Sequence, residues 1–420
     1  MRVLRKCRRI GPVPALFAAA LLAAAAVRAG GLSALRTQNP PPAQPAMSIP
    51  VGPLGFRPAG PIYLLTSLTL SSLNFIDDEH LLFTFHHPQL LRRLPGDPQG
   101  EEDQVIEALT LGLPSGKVLA RALWRMHDRY QYLWPLGQGK FLIRQRNTFS
   151  ITDSSLQLQR FLVSPSQIVA TELSPDGRSL VIESEVVTHT GKPRPSLQDE
   201  SGQTSESRAT QLILFDIKSK AVIASQPIPE PIELPVTGNG YLGAEAEGDH
   251  QFKITYHPFH GDPVVLGMVN STCDPGEKFL NDRVFVIESC GPDSPDILLD
   301  AWAVDGSKLW RGRRDSHAVW PRFAFSENGS RYAVGLLRIS RSLDENTSLS
   351  EDDVKEQIVQ VIDSGTGSVL LTTTASPIQS AGQNFALSPD GKRLAVLSDG
   401  EIKIFDLPAG TGGSGPPRPR

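Results

Sequence analysis

Four side chains in the second half of the chain are of the right type to hold zinc: Cys273, Cys290 and the upstream pair His257-x-x-His260. Two thiolates and two imidazoles make a suitable tetrahedral donor set. Their spacing is not that of a known zinc module, and no Cys-x-x-Cys is present for redox catalysis. The alternative reading of the same cysteines is a disulfide. The midpoint between them falls at Asn281-Asp282, the expected turn between two antiparallel strands. The pair should then face each other across that hairpin. A loop of this size contributes on the order of 3 kcal/mol in the chain-entropy account.

Other chemistry-bearing residues are scattered. Asp77, Asp78, Glu79 and His80 fall in a predicted hairpin turn, where solvated charge is the ordinary reading and a calcium site the alternative. His86 and His87 end a strand, so their side chains leave on opposite faces and do not act as a pair. There is no Gly-x-Ser-x-Gly elbow, no His-Glu-x-x-His, and no glycine-rich phosphate or dinucleotide loop between a strand and a helix. No residue is assigned a catalytic, cofactor-binding or metal-ligating role, and no cofactor is implied. The one assigned site is the disulfide Cys273–Cys290.

What positions these residues is a repeat. Three segments share one phrase: LSPDGRSLVIES from Leu173, FSENGSRYAVGL from Phe325 and LSPDGKRLAVLS from Leu387. Each reads as strand, tight turn, strand, with Asp-Gly or Asn-Gly supplying the positive φ of a short hairpin. A second phrase follows each, a strand ending in Asp and a small polar turn: QLILFDIKSKAVIAS from Gln211, IVQVIDSGTGSVLLT from Ile358, EIKIFDL from Glu401. Together they make a four-stranded antiparallel blade.

The remaining chain divides on that template. Blade one starts near Ser71 and blade two at Gln131; blade three contains Leu173 to Ser225. Blade four runs from about Ile232 to Val269, blade five contains Lys278 to Trp310, blade six Val319 to Thr373, and blade seven Gly382 to Asp406. The fold class is all-β, a seven-bladed β-propeller; the divergence of blade four leaves six or eight open. Blade seven lacks a last strand, and IYLLTSLTL from Ile62 is a spare one. A closed ring leaves no such edge unpaired, so Ile62 to Thr66 is expected to complete blade seven. The domain reading is a signal peptide over 1–29, a Pro-rich linker over 30–61, the propeller over 62–407 and a disordered tail over 408–420.

The phrase LSPDGKRLAV, followed by a strand ending in Phe-Asp, resembles the repeats of WD-type and TolB-type propellers. The Gly-His and Trp-Asp signatures of true WD repeats are absent. The resemblance implies an architecture and no activity. The segment LLDAWAVDGSKLWRG from Leu298 also resembles one repeat of quinone-cofactor dehydrogenase propellers. It occurs convincingly once, so Trp302 and Trp310 read as packing residues between blades.

The N-terminus has the three parts of a secretory leader: Arg2, Arg5, Lys6, Arg8 and Arg9, then an apolar run over 15–27, then Val27-Arg28-Ala29 as the cleavage signal. An uncleaved anchor is the alternative. Cleavage after Ala29 places the protein outside the cytoplasm, secreted or periplasmic, and leaves an even pair of cysteines. It removes six basic residues and no acidic one, leaving 35 Lys/Arg against 45 Asp/Glu, a net charge of −10. That balance argues against a nucleic-acid partner, which needs a basic footprint. It also argues against attraction to anionic lipid. No later stretch is long and apolar enough to span a bilayer.

Three blades carry insertions between their second and third strands, over residues 89–104, 189–209 and 340–356. Equivalent positions in successive blades project from one face, and such loops often form a binding surface. Tolerated polar loops without a role are the alternative. Two functions from different classes follow. One is an exported, monomeric binding or scaffold module that takes a protein, peptide or glycan at one face. The other is a propeller enzyme, a lactonase-like hydrolase or quinone dehydrogenase, whose groups would gather at the channel mouth from several blades.

Overall fold

A computed structural model describes residues 44–58, 60–63, 71–88, 91, 103–127, 131–186, 209–229, 231–292, 296–341, 349–380 and 383–409. The leader, most of the first insertion, the whole of 189–208 and the tail beyond 409 lie outside the described residues. The described residues form seven four-stranded antiparallel sheets and one two-stranded parallel pair. The fold is a seven-bladed β-propeller. In each blade the strands are lettered A to D from the channel outward. The A strands are Ser71–Asp77, Leu133–Gly137, Ile168–Leu173, Val236–Thr237, Gly276–Phe279, Ala318–Phe325 and Phe385–Leu387. A-to-B and C-to-D turns lie on one face of the ring, the A–B face. B-to-C and blade-to-blade connections lie on the other, the B–C face.

The repeat phrase folds as expected, and its polar residues hold the turn. Ser174 Oγ donates to Asp176 Oδ1 at 2.6 Å and accepts from the Ser179 N–H at 2.9 Å. Ser388 does the same with Asp390 (2.8 Å) and Arg393 N–H (2.9 Å). These residues also reach the next blade. Asp176 Oδ2 accepts from Gly238 N–H at 3.2 Å, Asn328 Nδ2 donates to the Asp390 carbonyl at 2.9 Å, and Arg393 donates to the Asp78 carbonyl. Gly177 has φ +68°, and a Cβ there would lie 2.5 Å from the Leu136 carbonyl of blade two. The glycine therefore serves both the turn and the close approach of blades.

Blade faces pack against each other. Between blades seven and one, Leu397, Ile402 and Ile404 meet Leu81, Phe83 and Leu109. Phe56 sits edge-on to Phe83 and Phe85, each at 5.5 Å. Such aromatic pairs add about 0.5–1.5 kcal/mol to the area they bury.

The strand that closes the ring is not the expected one. Met47–Pro50 pairs antiparallel with Glu401–Asp406 as strand D of blade seven, with Met47 opposite Ile404 and Pro50 opposite Glu401. It lies inside the stretch read as linker. Ile62 and Tyr63 instead pair in parallel with Ile378 and Gln379 on the B–C face, and 64–66 lie outside the described residues. The outer strand has an edge free of partners, so it tolerates Pro50. Ile49, 4% exposed, seats it in the core, and the partly buried Met47 packs on the same side. Ile49→Ala should cost about 2–4 kcal/mol in urea unfolding, and Ile62→Ala at its half-buried position should cost less; the reverse order would refute this account of closure.

Candidate functional site

Charge is distributed unevenly around the channel. Glu172 lies on strand A of blade three, Glu277 and Lys278 on that of blade five, and Arg322 on that of blade six. Strands A of blades one, two and seven carry no charged residue except Asp77 at the A–B end. Strand A of blade four is only Val236–Thr237. Glu172 and Lys278, two blades apart, form an ion pair.

Arg322 donates through Nε (3.2 Å) and Nη2 (2.9 Å) to the Ser380 carbonyl. Burial pushes its guanidinium below the ordinary value, opposed by the carboxylates of Glu172 and Glu233. Glu183, 1% exposed on strand B of blade three, accepts from the Ile232 N–H at 3.0 Å. Its Oε2 is buried without a partner.

A second cross-ring contact lies at the A–B mouth. The Gln138 N–H of blade two donates to Glu327 Oε1 of blade six at 2.9 Å. Beside it is a cavity of about 440 Å³ whose charged lining is Asp77, Lys140, Asp153 and Glu327. Two bridges thus cross the A–B half of the channel.

The B–C face has braced loop roots. Asp103, at the root of the first insertion, has a side chain 1% exposed. It accepts from Arg125, from His127 Nδ1 at 2.9 Å and from Arg146 Nη2 of blade two at 3.1 Å. Burial would raise its pKa, but those three bonds hold it below the ordinary carboxylate range. In blade six, Arg341 grips Asp353 with two bonds, 2.7 and 2.9 Å, across the base of its insertion. Ser350 adds its N–H and hydroxyl to Asp353 Oδ2, and the Asp353 pKa is held low by these partners, Arg341 foremost.

The disulfide Cys273–Cys290 lies on this same face, with Cα atoms 5.5 Å apart. Cys290 ends strand B of blade five, while Cys273 precedes strand A rather than lying in it. The expected turn is present: Asn281 Oδ1 accepts from the Arg283 and Val284 N–H groups. With the thiols joined, the zinc set is dissolved. His257 stacks on Tyr241 at 4.7 Å instead.

Other sequence candidates find partners within the fold. Asp77 pairs with His80 at 2.8 Å and caps the Glu79 N–H, as a turn does. His87 Nδ1 lies 3.0 Å from buried Glu107. Among the described residues no three His, Cys, Asp or Glu side chains gather as a metal site would. Trp302 is 1% exposed, and Trp310 donates to the Ser364 carbonyl of blade six at 2.9 Å. The feature missed from sequence is Trp320, 39% exposed on an A strand. Its signal was Trp-Pro-Arg, a bulky residue before proline within a strand pattern.

No family model matches the chain, and no curated sequence is similar to it. Among solved structures it is similar to an acylaminoacyl peptidase from Pyrococcus horikoshii, at 10% identity and TM-score 0.47, over 82% of this chain and 52% of that one. It therefore spans about half of the peptidase's length. It is similar to TolB from Acinetobacter baumannii at 15% identity and TM-score 0.37, over 75% and 79% of the two chains. The β-propeller domain of a trilobed protease from Pyrococcus furiosus matches at 11% identity and TM-score 0.42, over 81% and 94%.

Glu183 yields a pH prediction. Burial raises its pKa from 4.5 to about 7, against the Ile232 N–H bond. The fold favours the protonated form, so this contribution is fully present below 4.5 and is lost as pH rises through about 7. Relative to Glu183→Gln, wild-type stability should fall between pH 4.5 and 7 and then level. Parallel urea curves at pH 5 and pH 8 with an unchanged difference would refute the assignment.

Proposed function

We propose that this protein is an exported binding module that holds a protein or glycan partner on its B–C face. The observation that carries this is the bracing of that face. Long B-to-C connections arise in blades one, three and six. Two of their roots are gripped by buried carboxylates, Asp103 and Asp353. Variable loops on rigid roots are a common way to build a recognition surface, because ordering cost is met by the scaffold. The disulfide belongs with an oxidising compartment, and no helix among the described residues is long and apolar enough to cross a membrane.

Replacing 189–207 and 342–348 by short Gly-Ser linkers should leave the melting temperature within a few degrees, since loop length alone costs little. The same variant should lose the partners that full-length protein retains from envelope extracts. Identical retention by both proteins would sink the reading. Amino-terminal sequencing of exported protein should begin at Gly30.

A further inference from the structure

Trp320 is held in a conformation that its own chemistry disfavours. Its φ is +52°, in the left-handed region that bulky side chains rarely enter. It lies in a bulge, the register of strand A slipping between Val319 and Arg322. Pro321 follows and restricts it further. The other four tryptophans are at most 9% exposed, whereas Trp320 is 39% exposed. It sits near the start of an innermost strand, toward the B–C end of blade six. Strain of this kind persists only where surrounding structure imposes it, and it clusters at ligand sites.

Two residues on is Arg322. Its guanidinium is fixed by the Ser380 carbonyl through Nε and Nη2, and among the described residues it forms no ion pair with a carboxylate. The fork is thus oriented by a neutral acceptor, and Nη1 remains for a further one. A half-buried guanidinium of this kind favours a carboxylate, with geometric selectivity that an ammonium lacks. The A–B half of the channel is crossed by Glu172–Lys278 and Gln138–Glu327. Trp320 lies toward the other, B–C end of its strand.

We propose that Trp320 and Arg322 form a subsite at the B–C end of blade six's innermost strand for a carboxylate joined to an apolar or aromatic group, the carboxylate on Arg322 and the apolar body on Trp320. This goes beyond the B–C face reading and does not depend on it, because neither residue belongs to an insertion. The carboxylate could be that of a free aromatic acid or of a peptide chain terminus, which share this chemistry.

The test uses the full oxidised chain, with N-acetyl-phenylalanine, N-acetyl-phenylalaninamide and benzoate titrated by calorimetry and tryptophan fluorescence. At least one carboxylate should bind saturably and change the emission of Trp320, a change absent in Trp320→Phe. The amide should bind roughly tenfold more weakly than its acid, and Arg322→Lys should weaken the acid by a similar factor. Benzoate binding assigns a free aromatic acid; binding of N-acetyl-phenylalanine alone assigns a chain terminus. Trp320→Asn, which accepts the left-handed region more readily, should keep or raise the melting temperature while binding is lost. The proposal is overturned if neither acid binds, if the amide binds as well as the acid, or if folded Arg322→Lys binds unchanged. A lower melting temperature with intact binding in Trp320→Asn assigns Trp320 a packing role and also overturns it.

Discussion

Each blade of this ring has two apolar faces, and both must be covered by neighbours. The first and last blades must therefore meet, or two faces of Phe, Leu and Ile would stand in water. That single requirement organises the molecule. Ile49, Val51, Leu54 and Phe56 join blade seven to Phe83, Phe85 and Leu109 of blade one. A buried amide network adds to the join. Gln379 Nε2 donates to Ser71 Oγ at 2.6 Å, and Gln357 exchanges bonds with Asn384 at 2.9 and 3.1 Å. Buried amides are costly unless satisfied, so these bonds favour the observed register of closure, although Gln379 Oε1 is buried without a partner.

Much of the ring could be read from its repeats. Ser, Asp and Gly at fixed offsets are needed wherever an A-to-B turn closes and touches the next blade, so the phrase recurs in LSPDGRS and LSPDGKR. Blade four was readable only from Gly238-Asn239-Gly240, because its A strand is two residues long. The closing strand was not readable. An edge strand needs one inward apolar residue and backbone partners, and Met-Ser-Ile-Pro carries no more pattern than the proline-rich stretch around it. Ile62 looked the better strand, yet a short parallel pairing with Ile378 satisfies it.

The site was less legible than the fold, for a physical reason. Channel residues come one or two to a blade from segments far apart, and their meeting depends on ring geometry. Glu172 and Lys278 pair across a separation of 106 residues, and no local spacing encodes that. The cysteines are the exception. Their hairpin is local, so distance along the chain translates directly into distance in space, with an error of one residue in register.

The closing strand also fixes where the chain enters and leaves. Met47 lies opposite Ile404, and Ala46 N–H donates to the Ile404 carbonyl at 2.8 Å. Arg331, which opens strand B of blade six, donates to the Pro408 carbonyl near the other end. Ala46 and Pro408 therefore both lie on the A–B face. A group tethered close to either residue would be carried on that face. The braced roots at Asp103 and Asp353 lie on the other face, so the ring keeps its points of attachment apart from its loop bases.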